Sequence, residues 1–213
     1  MAMSSYAQCG QDILAQFLLR RSGTIPDWKS HKGRYVDIGS NDPVRGSNTY
    51  AFYKIGWSGL CIDANPDLAD NFRKLRPNDT VLSCGVGKEE GTLQFYRFTT
   101  AQHNTFDPGR ARKNPDKVHS VIDVPVRTLT SILDEHLGDD RRIDLLSIDA
   151  ENYELNILSS TDFGRYRPTL IVFESFGSIR QGLERPEVRL LEQAGYELVA
   201  NTGHDIFMID RKP

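Results

Sequence analysis

With 213 residues the chain has room for one α/β domain with a substantial buried core. Its 26 lysines and arginines against 29 aspartates and glutamates leave a net charge of −3, so no overall basic field is available to hold nucleic acid non-specifically. No stretch approaches the roughly 18 consecutive apolar residues of a membrane span, and the odd set Cys9, Cys61 and Cys84, without metal-type spacing, suits a reducing cytoplasm.

The first predicted element is an amphipathic helix over 13–19, with Asp12 at its start and Arg20 and Arg21 at its end complementing the helix dipole. Gln16 interrupts its apolar run and no basic segment precedes it, so it is not a signal peptide. Polar residues 22–32 lead into the core, which divides the chain into an N-terminal helical extension, 1–33, and a main domain, 34–213. An apolar strand over 35–38 enters a turn at Gly39, a helix over 48–55 ends near Gly56, and a strand over 60–62 ends at Asp63. Pro66 opens a helix over 67–75 that Pro77 and Asn78 stop. Strands follow over 81–84 and, after the Gly91 turn, over 92–98. Residues 99–120 carry almost no periodicity, as in a lid or substrate loop or a disordered segment. The basic cluster Arg110, Arg112, Lys113 and Lys117, flanked by Asp107 and Asp116, reads as solvated.

Order resumes with a strand over 121–126 and a helix over 128–137. The strand over 144–148 is almost continuously apolar, as expected when helices cover both sheet faces, and ends at Asp149. A helix over 153–159 precedes a strand over 169–173 that ends at Glu174. After a helix over 186–194 capped by Gly195, strands over 196–200 and 206–210 are too close for a helical crossover and must pair antiparallel. The fold class is therefore α/β, a doubly wound, mostly parallel sheet with a C-terminal antiparallel hairpin.

In open parallel sheets ligands collect at the carboxyl ends of the strands. Asp63 is placed there to accept hydrogen bonds from ribose hydroxyls. The preceding turn lacks G-x-G-x-x-G, because Ser40 and Asn41 follow Gly39 and the next glycine is Gly46. A pyrophosphate cannot approach such a turn closely, which argues against a nicotinamide-dependent oxidoreductase. Asp37 and Asp42 would also repel pyrophosphate, yet both suit a cationic ligand bearing an amino group and a sulfonium, namely S-adenosylmethionine. Asp37 has a second reading as a cap of turn amides. Carboxylates gathered at strand ends raise each other's pKa unless a cation or hydrogen-bond donor occupies the site. Asp149 and Glu151, joined by Glu174 from the adjacent strand, form the candidate catalytic set: a general base toward a hydroxyl, or oxygen ligands for a divalent cation such as Mg. Glu151 and Asn152 have the alternative role of capping the next helix. None of the five histidines has zinc spacing. His103 and Asn104 are candidate substrate contacts in the irregular stretch; His136 reads as a helix-end residue, and His204 with Asp205 as a turn.

Five segments in order, VDIGSN, GWSGLCIDANP, NTF at Asn104, IDLLSIDAENYELNIL and RPTLIVFES, resemble the FkbM family of S-adenosylmethionine-dependent methyltransferases. The opening YAQCGQDIL is similar to that family's N-terminal signature, and the likeness spans nearly the whole chain. It implies a class I, Rossmann-like methyltransferase fold with a seven-stranded sheet in the order 3-2-1-4-5-7-6. It also implies O-methylation of a hydroxyl on a sugar, glycan precursor or secondary metabolite. By position, the resemblance implies that Asp37, Gly39 and Asn41 form the cofactor loop, Asp63 and Ala64 hold the ribose, and Cys84, Gly85 and Val86 lie near the adenine. Asp149 would sit beside the methionine part and the acceptor. Many members carry glycine where Asn152 stands, which leaves Asn152 as an added substrate contact, and glutamate is common where Asp63 stands. The implied partner is a small-molecule hydroxyl acceptor, with no nucleic acid; no oligomeric state follows. The rival from another class is a non-catalytic nucleoside-binding or partner-docking module.

Overall fold

Period-two alternation sorts the central strands' side chains onto two faces, each with its own core. In β1 (Arg34–Ile38) Val36 and Ile38 face one core while Tyr35 faces the other. β7 (Leu145–Ile148) and β8 (Leu170–Glu174) repeat the pattern: Leu146, Ile148, Ile171 and Phe173 on the first face, Leu145, Leu170 and Val172 on the second. Both faces are covered, which is why these strands read as nearly unbroken apolar runs. The computed structural model describes residues 4–25 and 27–211; residues 1–3 and 26 of the expected N-terminal extension lie outside the described residues.

Parallel pairing joins β1 to β2 (Ser58–Asp63) and β7, β2 to β3 (Thr80–Ser83), and β7 to β8. The last two strands, β9 (Tyr196–Asn201) and β10 (Asp205–Asp210), pair antiparallel, and β10 also runs antiparallel to β8. The order is β3-β2-β1-β7-β8-β10-β9, so the chain's last strand sits inside the sheet. Counted over the seven strands of this sheet alone, that is the expected 3-2-1-4-5-7-6 arrangement with its C-terminal hairpin.

Helices α1 (Gln11–Arg21), α2 (Tyr50–Lys54) and α3 (Ala69–Leu75) cover the second face through Ala15, Leu19, Phe52 and Phe72. On the first face lie α5 (Leu129–Leu137), α6 (Glu154–Ser159) and α8 (Pro186–Gln193), the first started by Thr128 accepting from the Ser131 amide and the last by Pro186 in its first turn. Between β8 and α8 the sequence pattern misses a short helix, α7 (Ile179–Leu183). No helix among the described residues is long and apolar enough to cross a membrane.

A second, three-stranded sheet is built from β4 (Gly85–Val86), β5 (Gly91–Phe98) and β6 (Val118–Arg127). The two long strands pair antiparallel from Gly91↔Val126 to Phe98↔Val118. Residues 118–120, expected as irregular, thus continue a strand. The remainder of the 99–120 stretch is ordered as short helical turns at Ala101–His103 and Pro115–Lys117 and a helix, α4 (Pro108–Lys113), the latter started by Asp107 accepting from the Gly109 amide at 2.7 Å.

Candidate active site

Three strand tips meet at Gly39. Its amide donates to the Ile62 carbonyl of β2 at 2.9 Å, and the Asp149 amide, just past β7, donates to the Ile38 carbonyl at 2.9 Å. Gly39 has φ +75°, and a Cβ there would stand 1.8 Å from the Asp149 carbonyl oxygen. Glycine is therefore required by the neighbouring backbone, and not only for approach of a ligand. Gly39→Ala is expected to lower stability by about 1–3 kcal/mol, the range for an L-residue held in a strained backbone region, and to abolish nucleoside binding; thermal melts and calorimetry check both. A variant with unchanged melting temperature and ligand affinity would contradict this packing.

Asp63, at the end of β2, accepts from the Asn41 amide at 2.9 Å and the Asn65 amide at 2.8 Å. Burial raises its pKa to about 6 despite those two amides. Beside it an open cleft is lined by Gly39, Asn41, Asp63, Ala64, Cys84, Gly85 and Val86, together with Asp149 and Glu151. An aromatic wall completes it: Phe106 packs on Phe95 at 4.9 Å and on Tyr153 at 5.6 Å between ring centroids. One carboxylate beside a glycine turn, opposite apolar walls, fits a nucleoside with its ribose at Asp63.

Asp37 lies deeper. Buried within β1, its carboxylate accepts from Thr49 and lies beside Ser147, and burial raises its pKa against the lowering pull of Arg76. Arg76 is itself fully buried: it pairs with Asp79 at 2.6 Å, donates to Thr49 at 3.0 Å and Ser47 at 3.3 Å, and reaches the Pro43 carbonyl at 3.4 Å. This network clamps the segment after Gly39 onto the sheet. Asp37 lines a second cavity, which it shares with Gly39, Asn41 and Asp149, and not the cleft beside Asp63.

The strand alternation also brings acids to one edge. Asp149, Glu151 and Glu174 each present an oxygen within 4.8 Å of the other two. Burial and the surrounding carboxylates, Glu151, Glu154 and Asp205 among them, raise the pKa values of both Asp149 and Glu174. Glu154 accepts from the Ala150 amide at 2.9 Å, and burial lifts its pKa to about 7. Asp205 opposes Glu174 across the β8–β10 pair and accepts from Gln11 at 2.7 Å and His204 at 3.0 Å. Glu151 is engaged differently: Arg110 pairs with its carboxylate, and Thr105 donates to its carbonyl at 3.0 Å. The segment over 99–117 thus closes over the strand tips.

The remaining expected contacts separate. His103 is exposed and lines the second cavity, whereas Asn104 lines the first with its side-chain oxygen held by the Phe98 amide at 2.8 Å. Asn152 is exposed, lines neither cavity and has φ +77°, so its place among glycines has a backbone reason: asparagine tolerates this conformation. Asn41 (φ +46°) and Glu151 (φ +52°) share that strained state, and these two line the first cavity. Sequence reading missed Gln8, Phe106, Arg110 and Tyr153 as site residues. Gln8 belongs to the N-terminal signature, and Phe106 to the NTF motif, which were the available signals.

The Methyltransferase FkbM domain profile matches residues 37–198. No curated protein matches. Among solved structures, an FkbM methyltransferase from Methylobacillus flagellatus is 11% identical with a TM-score of 0.48, covering 96% of this chain, which spans only 56% of that one. A TehB-like S-adenosylmethionine-dependent methyltransferase from Corynebacterium glutamicum is 11% identical with a TM-score of 0.43, over 93% of this chain and 99% of its own. The 1,6-didemethyltoxoflavin N1-methyltransferase of Burkholderia thailandensis, solved with S-adenosylhomocysteine, is 10% identical with a TM-score of 0.43, over 100% and 93%. Since the profile matches well over half of the chain, from Asp37 past β8, the chain belongs to the FkbM family of S-adenosylmethionine-dependent methyltransferases.

Proposed function

We propose that the chain methylates a hydroxyl of a small molecule, a sugar, glycan precursor or secondary metabolite, with Asp149 as the base. The observation that carries this reading is the position of Asp149, which lines both cavities and lacks a hydrogen-bond donor on its carboxylate among the described residues. When bound, S-adenosylmethionine supplies an electrophilic methyl carbon, whose bond to sulfur breaks as its bond to the acceptor oxygen forms. The hydroxyl proton passes to Asp149. Asp63 and the Gly39–Asn41 turn hold the nucleoside, and the aromatic wall excludes water, so alignment carries most of the rate. Glu151 is a weaker candidate base than its sequence position suggests, because Arg110 already neutralises it. Residues 34–213 carry the cofactor unit in this proposal, and the N-terminal segment adds Gln8 as a wall.

Glu174 favours a second reading. It is buried, has no hydrogen-bond donor among the described residues and faces Asp149 and Glu151, an all-oxygen donor set of the kind a hard divalent cation such as Mg takes. Those three residues would hold the ion. The net charge of −3 supports a small acceptor over nucleic acid, and the free thiols of Cys9, Cys61 and Cys84 support a cytoplasmic setting. The test is a methyl-transfer assay over a hydroxyl panel. Asp149→Asn is expected to reduce turnover about 10²–10⁴-fold, the usual contribution of a general base, with affinity for the cofactor kept. Full turnover in both Asp149→Asn and Glu151→Gln would sink the assignment. Loss of activity on chelation, restored by Mg, would select the metal reading; binding without turnover on any hydroxyl would select a non-catalytic module.

A further inference from the structure

Two residues past the end of β8 stands an exposed aromatic ring that a chain of contacts holds in place. Phe176 is 60% exposed, and its ring meets that of His204 edge to face, 4.5 Å between centroids and 67° between planes. Backbone ties the two turns together as well: the Ser175 amide donates to the His204 carbonyl at 2.8 Å and the Gly177 amide to the Gly203 carbonyl at 3.3 Å. His204 is fixed in turn. Its Nδ1 donates to Asp205 at 3.0 Å, Asp205 also accepts from Gln11 at 2.7 Å, and the Gln11 side-chain oxygen accepts from the Cys9 amide at 2.7 Å. Asp205 and Gln11 are both buried. A single exposed apolar side chain is ordinary, but one seated on a buried polar relay is preorganised to meet a ligand.

The relay ends at the acid edge, because Asp205 pairs with Glu174 across β8 and β10, and Glu174 faces Asp149 and Glu151. A carboxylate oxygen can only accept, so the proton of the neutral His204 ring sits on Nδ1, and Nε2 is left as an acceptor with no hydrogen bond among the described residues. Glu174 likewise has no donor. Two acceptors beside an open aromatic face suit a ring with hydroxyls on its rim and C–H bonds on its flat side. The hydroxyls donate to the acceptors, and the partly positive C–H hydrogens lie on the negative π face. An acyclic polyol offers the hydroxyls without the flat side. We propose that Phe176 is an acceptor-specificity residue, stacking on the C–H face of a cyclic polyol whose hydroxyls donate to Glu174 and to Nε2 of His204. This inference rests on the proposed O-methylation and deepens it: the acceptor ring lies at the β8–β10 tips, with the hydroxyl to be methylated at Asp149.

Calorimetry on the full chain saturated with S-adenosylhomocysteine, titrated with the methyl pyranosides of glucose, galactose and mannose and with acyclic mannitol, tests the proposal without requiring turnover. At least one glycoside is expected to saturate below about 1 mM, the upper end of ordinary substrate affinities, with mannitol about tenfold weaker. Phe176→Ala should weaken that glycoside about tenfold and leave mannitol binding, S-adenosylhomocysteine affinity and melting temperature unchanged, while Phe176→Trp should restore the glycoside. His204→Phe keeps a ring against Phe176 but removes the acceptor nitrogen, and should weaken the glycoside about threefold, the contribution of one hydrogen bond. Absence of saturable binding by every glycoside overturns the proposal, as does unaltered glycoside affinity in Phe176→Ala or equal weakening of mannitol. Conversion of an oligomer to a monomer by Phe176→Ala, read by sedimentation, also overturns it, because the ring is then a contact between copies. A chain that binds a glycoside as expected but methylates no hydroxyl would instead remove the O-methylation reading and leave the subsite standing.

Discussion

Arg76→Met is expected to destabilise the fold by about 3–5 kcal/mol, the cost of leaving buried carboxylates without their cation. Methionine fills much of the arginine's volume but supplies none of its five donors. Asp79, whose side chain is fully buried, would keep only the Tyr35 hydroxyl, the Gly59 amide and the weak Cys61 thiol. Asp37 would lose the one cation that offsets its burial. The guanidinium also lies 5.2 Å from the Tyr35 ring and 5.4 Å from those of Tyr53 and Phe72, so its removal takes cation–π contacts as well. For a chain of this size the melting temperature should fall by roughly 6–20 °C. Arg76→Lys keeps the charge but not the fork and should fall between the two. Because the same side chain pins Pro43, Ser47 and Thr49, cofactor affinity should fall in the variants that still fold. A stability loss under about 1 kcal/mol in the methionine variant would show that the network contributes little.

The second large effect is on pH. Turnover should rise with pH through a value well above the ordinary carboxylate range, because Asp149 must be ionised to accept the proton while burial and its acidic neighbours favour the protonated form. Stability should move the opposite way. Asp149 and Glu174 have raised pKa values when folded, so above about pH 4, where unfolded carboxylates ionise, the native state holds more protons than the unfolded state. Stability is then fully present below that point and is lost as pH rises through the folded values. Asp149→Asn should flatten both curves. Denaturant unfolding at a series of pH values beside a pH–rate profile measures the two together, and a stability that increases from pH 5 to 8 would contradict the arrangement of this acid edge.

Period-two patterning and turn residues made the main sheet legible. Nearly unbroken apolar runs such as 169–173 are expected only between two helical layers, and the close spacing of the last two strands left them no connection but a hairpin. Asp63 was legible for the same reason, as a carboxylate at the end of such a run. Arg76 was not. It follows a helix and precedes Pro77, where an arginine reads as a helix-end cation, and nothing local signals that its guanidinium turns inward to pair with Asp79 beneath the sheet's buried Asp37. Both long strands of the small sheet were legible, over 92–98 and 121–126, but not their pairing in a sheet of their own, because the irregular stretch between them is too long to read as a hairpin. Glu151 shows a different limit: its spacing from Asp149 places it at the cleft, but its charge is taken by Arg110, which belongs to the stretch that carries no periodic signal.

The place of β10 has a consequence for synthesis. The last strand lies between β8 and β9, and its first residue, Asp205, is tied by Gln11 to the first helix. Until it leaves the ribosome, β9 has no neighbour, β8 keeps an open edge, and Glu174 has nothing opposite it. A nascent chain can therefore assemble the nucleoside half early, but it completes the acidic half only when β10 inserts between β8 and β9.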